Sequence, residues 1–166
     1  AFLTTFARSP LDLINKGPYG SPEKNFYHYR TVEVKHGRAA MLATLGTLVQ
    51  ENYHYQGYLS PSKGLQFSDV PNGLKALEVV PLAGWVQIIA VLGAHEFFIK
   101  QVPGKKPGNL GTGYWGAYMD DESAAQLRAL TIEISNGRLA MLGILGMWAS
   151  EVVHKGVPLA ETKIFS

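Results

Sequence analysis

The 166-residue sequence contains no cysteine, which excludes disulfide bonds, thiolate metal sites and cysteine nucleophiles. It also lacks a long basic block, because 15 Lys and Arg residues balance 13 Asp and Glu residues to a formal net charge of +2. Without a clustered positive patch we expect no nucleic-acid partner. The sequence shows no nucleophile paired with a base, no phosphate-binding loop and no open metal cluster, so we do not expect an enzyme.

The strongest feature that is present is an internal repeat. Residues 31–54 (TVEVKHGRAAMLATLGTLVQENYH) align with residues 131–154 (TIEISNGRLAMLGILGMWASEVVH) at an offset of one hundred, and 11 of the 24 positions are identical. Average composition would give about one or two identities by chance, so we infer a duplication. Both copies lack Pro and repeat small residues at helical spacing, which predicts two similar helices that pack closely.

A third apolar stretch lies between the two copies. Residues 79–94 carry no charged side chain, and we expect Pro81 in the first turn of a helix there. The sequence therefore predicts one all-α domain over residues 1–166, with helix 1 at about 27–54, helix 2 at about 79–99 and helix 3 at about 121–154. The connections are rich in Gly and Pro, so they are expected to be irregular.

The apolar runs of the repeats are short for a membrane span. Residues 39–50 and 139–150 are free of charge, which is about 18 Å of helix each, whereas a bilayer core needs about 20 residues. Either these helices are soluble, or the charged residues of the motif lie inside the membrane, where each costs about 3 kcal/mol on insertion scales. In the membrane these charges must neutralise one another.

Pairing between the copies would achieve this. Within one copy, Glu33 and Arg38 are five residues apart and point about 140° away from each other around the helix, so they do not pair locally. In a duplicated structure with a local twofold axis, Glu33 can reach Arg138 while Glu133 reaches Arg38. We predict these two ion pairs between closely packed helices.

Each copy also carries two potential metal donors one helical turn apart. Glu33 precedes His36 by three residues, and Glu133 precedes Asn136 by the same spacing. Carboxylate, imidazole and amide groups can all donate to a metal ion. The same residues could instead form ordinary interhelical salt bridges, a hydrogen-bonded histidine and a polar contact between helices.

The two copies resemble a known motif. Glu33-Val-Lys-His36-Gly-Arg38-Ala-Ala-Met-Leu and Glu133-Ile-Ser-Asn136-Gly-Arg138-Leu-Ala-Met-Leu closely resemble the light-harvesting chlorophyll-protein superfamily of plastids. The resemblance covers the three predicted helices. It implies an integral membrane protein of the thylakoid with three transmembrane helices, in which helices 1 and 3 cross and carotenoids lie beside them. It further implies an antenna that binds pigments and passes excitation energy to a photosystem.

The resemblance also implies roles for individual residues. A chlorophyll magnesium already held by ring nitrogens needs one further donor, so one side chain per pigment suffices. Arg38 and Arg138 would be ion-pair partners, and Ser150 stands where the family often has a Gln ligand. His95 beside Glu96 leaves the donor there open, and His54 and His154 are interpreted as structural. The implied chlorophyll-binding residues are Glu33, His36, Gln50, Gln87, Glu96, Glu133 and Asn136, of which Glu33, His36, Glu133 and Asn136 are axial magnesium ligands by motif.

Several segments resemble the chlorophyll a/c branch of the superfamily. These are residues 84–88 (GWVQI), 58–62 (YLSPS) and 67–74 (FSDVPNGL), together with the spacing from Gln87 to Glu96. The dinoflagellate peridinin-containing antennae are most similar, followed by the fucoxanthin-chlorophyll antennae. The implied cofactors are chlorophyll a, chlorophyll c and carotenoids of the peridinin and diadinoxanthin type, or fucoxanthin. The implied partners are a photosystem core, neighbouring antenna subunits and thylakoid lipids.

Two alternative functions stay open. Photoprotective quenching within the same superfamily needs the same fold and ligands, and a pigment-free structural membrane protein would use the ion pairs for assembly alone. A di-iron carboxylate bundle also uses Glu-x-x-His, but it needs that motif twice with two further Glu residues. The second copy has Asn136 instead of His, and each copy adds an Arg that would repel a dication.

Overall fold

The computed structural model describes residues 12–111 and 123–153, which are mostly helical, and the predicted all-α class is confirmed. A short antiparallel pair of strands and single 3-10 turns connect the second helix to the third. The helices are α1 (Leu13–Lys16), α2 (Pro22–Asn52), α3 (Ala76–Val79), α4 (Leu82–Phe98) and α5 (Ala124–Val153), the strands are β1 (Tyr58–Ser60) and β2 (Leu65–Gln66), and the 3-10 turns are Pro61–Lys63, Phe67–Asp69 and Gly73–Lys75.

The first long helix, α2, begins before the predicted start near residue 27. Ser21 is its N-cap, and the Ser21 hydroxyl accepts a hydrogen bond from the Lys24 amide at 3.3 Å. Pro22 takes the first helical position, where its missing N–H costs nothing. The helix ends at Asn52 rather than near residue 54, because Tyr53 is already extended. Capping chemistry therefore lengthens the helix at its start and the extended Tyr53 ends it.

The middle helix is shorter than predicted and is broken at its start. Val80 is extended, with φ −67° and ψ 127°, as expected for a residue that precedes proline. Pro81 is therefore the N-cap of α4 and does not lie in the first turn, and Val79 belongs to the separate helix α3. The segments Gly73–Val79 and Leu82–Phe98 meet at an angle of 115°. The predicted ends of helix 3, residues 121 and 154, lie outside the described residues, as does His154.

Helices α2 and α5 pack against each other at a pair of glycines. A Cβ atom added to Gly137 would lie 2.9 Å from the Cα of Gly37, and the reverse distance is 3.0 Å. Such distances leave no room for a side chain on either helix. Gly37 lies on the buried face of α2 with Val34 and Ala40. Matched positions of the two repeats therefore meet at a close backbone contact between the two helices.

The packing of the helices leaves most apolar side chains outside. Among the described residues, the buried hydrophobic ones are Val34, Ala40 and Ile144. No residue of α4 is buried, and Leu82 and Phe98 at its two ends are 77% and 78% exposed. An apolar surface of this extent is unusual for a chain surrounded by water alone. Within residues 12–111 and 123–153, the chain therefore leaves much of the apolar surface of its helices uncovered.

Helix length and hydropathy disagree on whether the described helices could span a membrane. Helices α2 and α5 contain 31 and 30 residues. Each is therefore about 45 Å long, more than the hydrocarbon core of a bilayer. Within residues 12–111 and 123–153, however, no single helix combines sufficient length with sufficient hydropathy for a span. The bent pair Gly73–Val79 and Leu82–Phe98 meets the criterion only when both segments are counted together.

The glycine contact predicts a large difference between two Gly→Ala substitutions on α5. We expect Gly137→Ala to lower the free energy of unfolding by about 1–3 kcal/mol, because the new methyl group overpacks the contact. Gly143→Ala is the matched control, since a Cβ there meets no atom within 4 Å. That change should be neutral or stabilise the helix by up to about 1 kcal/mol. Thermal unfolding followed by circular dichroism compares them, and equal midpoints would contradict the prediction.

Candidate functional site

Two ion pairs join α2 and α5 on either side of the glycine contact. The Nε of Arg38 donates to Oε1 of Glu133 at 2.7 Å, and the Nε of Arg138 donates to Oε1 of Glu33 at 2.6 Å. Each arginine directly follows its glycine, so the close approach of the glycines brings the arginines within reach of the opposite helix. Both ion pairs that the repeat predicts are present.

The two pairs differ in their further contacts. Glu33 also forms an ion pair with Arg30, one turn earlier on the same helix, with 2.9 Å between the guanidinium nitrogen and Oε2. Arg38 also donates to the backbone carbonyl of Gly108 at 2.8 Å. Sequence reasoning missed both contacts. The repeat gave no signal for the first, because Leu130 occupies the position that matches Arg30.

The loop after α4 holds the Gly108 carbonyl in place. The side-chain oxygen of Gln101 accepts from the Gly108 amide at 2.8 Å, and its nitrogen donates to the Lys106 carbonyl at 3.0 Å. The Tyr27 hydroxyl donates to the Lys105 carbonyl at 2.7 Å, which fastens the loop to α2. One arginine is thus bound by a carboxylate of α5 and by an ordered loop.

His36 is oriented by the helix that carries it. Its Nδ1 lies 2.9 Å from the Val32 carbonyl, which can only accept, so Nδ1 carries the proton. In a neutral ring the lone pair is then on Nε2, and the ring is exposed. A histidine that donates through one ring nitrogen to a carbonyl is the usual arrangement of a metal ligand. The predicted donors Asn136, Gln50 and Gln87 are exposed as well.

The remaining predicted donor, Glu96, is ion-paired. Its carboxylate accepts from the Nζ of Lys35, which reaches it from α2. The sequence gave no signal for this pair, since no periodicity relates positions on two unrelated helices. Glu96 therefore resembles Glu33 and Glu133 in having a cation from another helix.

Sequence reasoning also missed Glu151. This buried carboxylate at the end of α5 accepts from the Leu74 amide at 2.6 Å. Gly73 precedes that amide with φ +72°, and a Cβ at Gly73 would overlap the carboxylate, so only glycine fits. The signal was in the repeat, where Glu51 matches Glu151, and both line one crevice. Glu151 attaches the segment before α4 to the long helix pair.

A comparison of the sequence with protein families identifies the family of this chain. A family described as "Chlorophyll A-B binding protein" matches residues 5–152. The chain belongs to this family. The resemblance that the two motifs carry is thereby confirmed at the level of the superfamily.

Individual relatives place the chain more finely within the family. It is 44% identical over 135 residues to the fucoxanthin-chlorophyll a-c binding protein E, chloroplastic, of Macrocystis pyrifera, covering 78% of this chain and 63% of that protein. Protein B of Phaeodactylum tricornutum, with the same description, is 37% identical over 148 residues, covering 86% and 71%. The chain thus spans less than two thirds of the Macrocystis protein. A chlorophyll a/c relationship is confirmed, and the peridinin type stays a prediction.

The donor residues fit the chlorophyll magnesium that the family name implies. Each carboxylate has roughly four acceptor sites, so the two arginine bonds of Glu33 leave capacity for a metal. His36 presents the lone pair of Nε2, and the amide oxygens of Asn136, Gln50 and Gln87 are single oxygen donors. Magnesium prefers oxygen, and one axial donor per pigment is enough. The individual ligand assignments stay predictions.

The unequal surroundings of the two arginines predict unequal mutants. Arg38 is 28% exposed and bonds both Glu133 and Gly108, whereas Arg138 is 58% exposed and its partner Glu33 keeps Arg30. We expect Arg38→Leu to destabilise the protein by about 3 kcal/mol, because the more buried arginine loses its bonds to both Glu133 and the Gly108 carbonyl. Arg138→Leu should cost clearly less. Thermal midpoints and folded yields of both variants measure this, and equal losses would contradict it.

Proposed function

We propose that this protein is a light-harvesting antenna that binds chlorophyll a, chlorophyll c and carotenoid. Bound pigments absorb light and pass the excitation on, finally to a photosystem core. The observation that carries the proposal is the packed pair of helices α2 and α5, in which each carboxylate is held by an arginine of the other helix. Family membership and the names of the fucoxanthin-chlorophyll a-c relatives support it.

In this proposal the chain binds and orients pigments and performs no bond chemistry. The glycine contact fixes the distance between α2 and α5, so donors on the two helices are held at a set separation. The arginines balance the charge of Glu33 and Glu133, which can then donate to magnesium without a net buried charge. The Val32 carbonyl holds the ring of His36 with Nε2 directed outward. No catalytic role is assigned to any residue.

We further propose that the protein crosses the thylakoid membrane three times, through α2, α4 and α5. Hydropathy averaged along one helix counts four separate charges, those of Glu33, Arg38, Glu133 and Arg138. In the structure these charges are paired across the helix contact. Pairing offsets part of the cost of placing them in hydrocarbon. Lipid and pigment would cover the exposed apolar side chains, such as those of α4.

The carotenoid and the partners are proposed more broadly. Fucoxanthin is favoured by the names of the relatives, with peridinin and diadinoxanthin as the alternatives from the segments that resemble dinoflagellate antennae. The expected partners are a photosystem core, neighbouring antenna subunits and thylakoid lipids. The exposed faces of α4 and α5, which include Leu139, Leu142 and Val91, provide apolar surface for such neighbours.

The first test is an absorption spectrum of the native protein purified in mild detergent, followed by chromatography of its extracted pigments and metal analysis. We expect chlorophyll a, chlorophyll c and carotenoid in fixed ratios, with magnesium in proportion to chlorophyll. Native protein without bound pigment would overturn the proposal and favour the pigment-free structural protein. Stoichiometric iron would favour the carboxylate bundle, although the described residues hold no group of three His, Asp or Glu placed for one metal.

Replacing one proposed ligand should remove one pigment. We expect His36→Phe to fold with one chlorophyll fewer per chain and a changed circular dichroism in the pigment bands, because the phenyl ring has no donor. His54→Phe is the matched control, since His54 lies beyond the end of α2. It should keep the full complement. Both variants are refolded with pigments, and the number of chlorophylls per protein is compared. Equal numbers in the two variants would show that His36 does not bind a chlorophyll.

A further inference from the structure

The middle helix is held to the rest of the fold differently from α2 and α5. None of its residues, Leu82 to Phe98, is buried. Glu96 near its end meets Lys35 of α2, and the Nζ of Lys35 bonds both carboxylate oxygens. The side chains of Lys35 and Glu96 are 57% and 60% exposed. The pair therefore joins α4 to α2 across open space rather than within a packed core.

The repeat shows that Lys35 is specific to one copy. The matching residue in the second copy is Ser135, whose hydroxyl donates to the Thr131 carbonyl of its own helix at 2.9 Å. The duplicated helices keep Glu, Gly and Arg at matched positions, but a single helix lies between them in the chain. A cation for the carboxylate of α4 is needed from one copy only, and Lys35 is one of the positions at which the two copies differ.

The charges of Lys100 and His95 also act on Glu96, but among the described residues the ion pair of Glu96 is with Lys35. The Nζ of Lys100 lies 5.0 Å from the centre of the Phe97 ring, a cation–π distance. The ion pair with Lys35 is the contact that brings a positive charge to the carboxylate oxygens of Glu96. In water such an exposed pair contributes little. In an apolar environment an unpaired carboxylate is strongly disfavoured, so the same pair becomes necessary.

We propose that Lys35 is a positioning residue that neutralises Glu96 and orients its carboxylate to bind the chlorophyll of α4. This inference rests on the proposed antenna function. It extends to α4 the arrangement seen twice between α2 and α5, a carboxylate donor whose charge is balanced from another helix. Lysine differs from arginine in offering a point charge on a flexible stem, which suits a pair that spans open space.

The test is a double-mutant cycle refolded with pigments. We expect the Lys35→Met variant to lose one chlorophyll per chain, because Glu96 is left charged and without its ion-pair partner. The Lys35→Arg variant should retain that chlorophyll. Glu96→Gln should retain it too, since a neutral amide oxygen needs no cation. Adding Lys35→Met to the Glu96→Gln variant should then leave its chlorophyll content unchanged. Chlorophyll per protein and circular dichroism in the pigment bands are the measurements, with Lys24→Met as the matched lysine control on α2.

Each outcome decides the inference. If Lys35→Met keeps its full complement, or if the double variant is as deficient as Lys35→Met, the inference is wrong. If Lys35→Met does not fold but the double variant folds with all its chlorophyll, the inference is supported. If both fail to fold, Lys35 acts independently of Glu96 and the inference is overturned. A wild-type protein without chlorophyll would instead overturn the antenna function itself.

Discussion

The contact between Gly37 and Gly137 is the constraint on which the rest of this structure depends. The separation of the two helices at that point leaves no room for a methyl group. Because an arginine follows each glycine, the same approach brings both guanidinium groups to the glutamates of the opposite helix. If a side chain held the helices further apart, both ion pairs would have to stretch. The charge pairing therefore depends on the backbone contact.

The parts of the site that the repeat relates could be predicted from the sequence. A twofold relation between copies dictates that Glu33 meets Arg138 when Glu133 meets Arg38, and this pairing follows without knowing any coordinate. Glu151 was recoverable by the same reasoning, since Glu51 matches it. The break before α4 was recoverable from local chemistry, because Val80 precedes a proline. Where symmetry or local sterics decide the structure, residue order alone is informative.

The contacts that break the symmetry could not be predicted. Arg30 pairs with Glu33, Lys35 pairs with Glu96, and the Gly108 carbonyl accepts from Arg38. Leu130 and Ser135 stand at the positions that match Arg30 and Lys35, and Gly108 lies outside the repeat. The partners of Arg30, Lys35 and Gly108 are set by how a loop and a middle helix lie against the repeat pair. That placement depends on tertiary packing, for which neither helical periodicity nor composition carries a signal.

The two copies agree at the residues that form the helix contact and differ at a proposed pigment-binding position. Glu, Gly and Arg are retained at both positions because each takes part in the shared contact, where one altered residue disturbs both helices. The donor one turn after the glutamate is His36 in one copy and Asn136 in the other, and both side chains are exposed. An exposed donor is not constrained by the packing of the two helices. Imidazole and amide donors bind magnesium differently, so in the proposed antenna these two otherwise equivalent positions would hold pigments in different chemical surroundings.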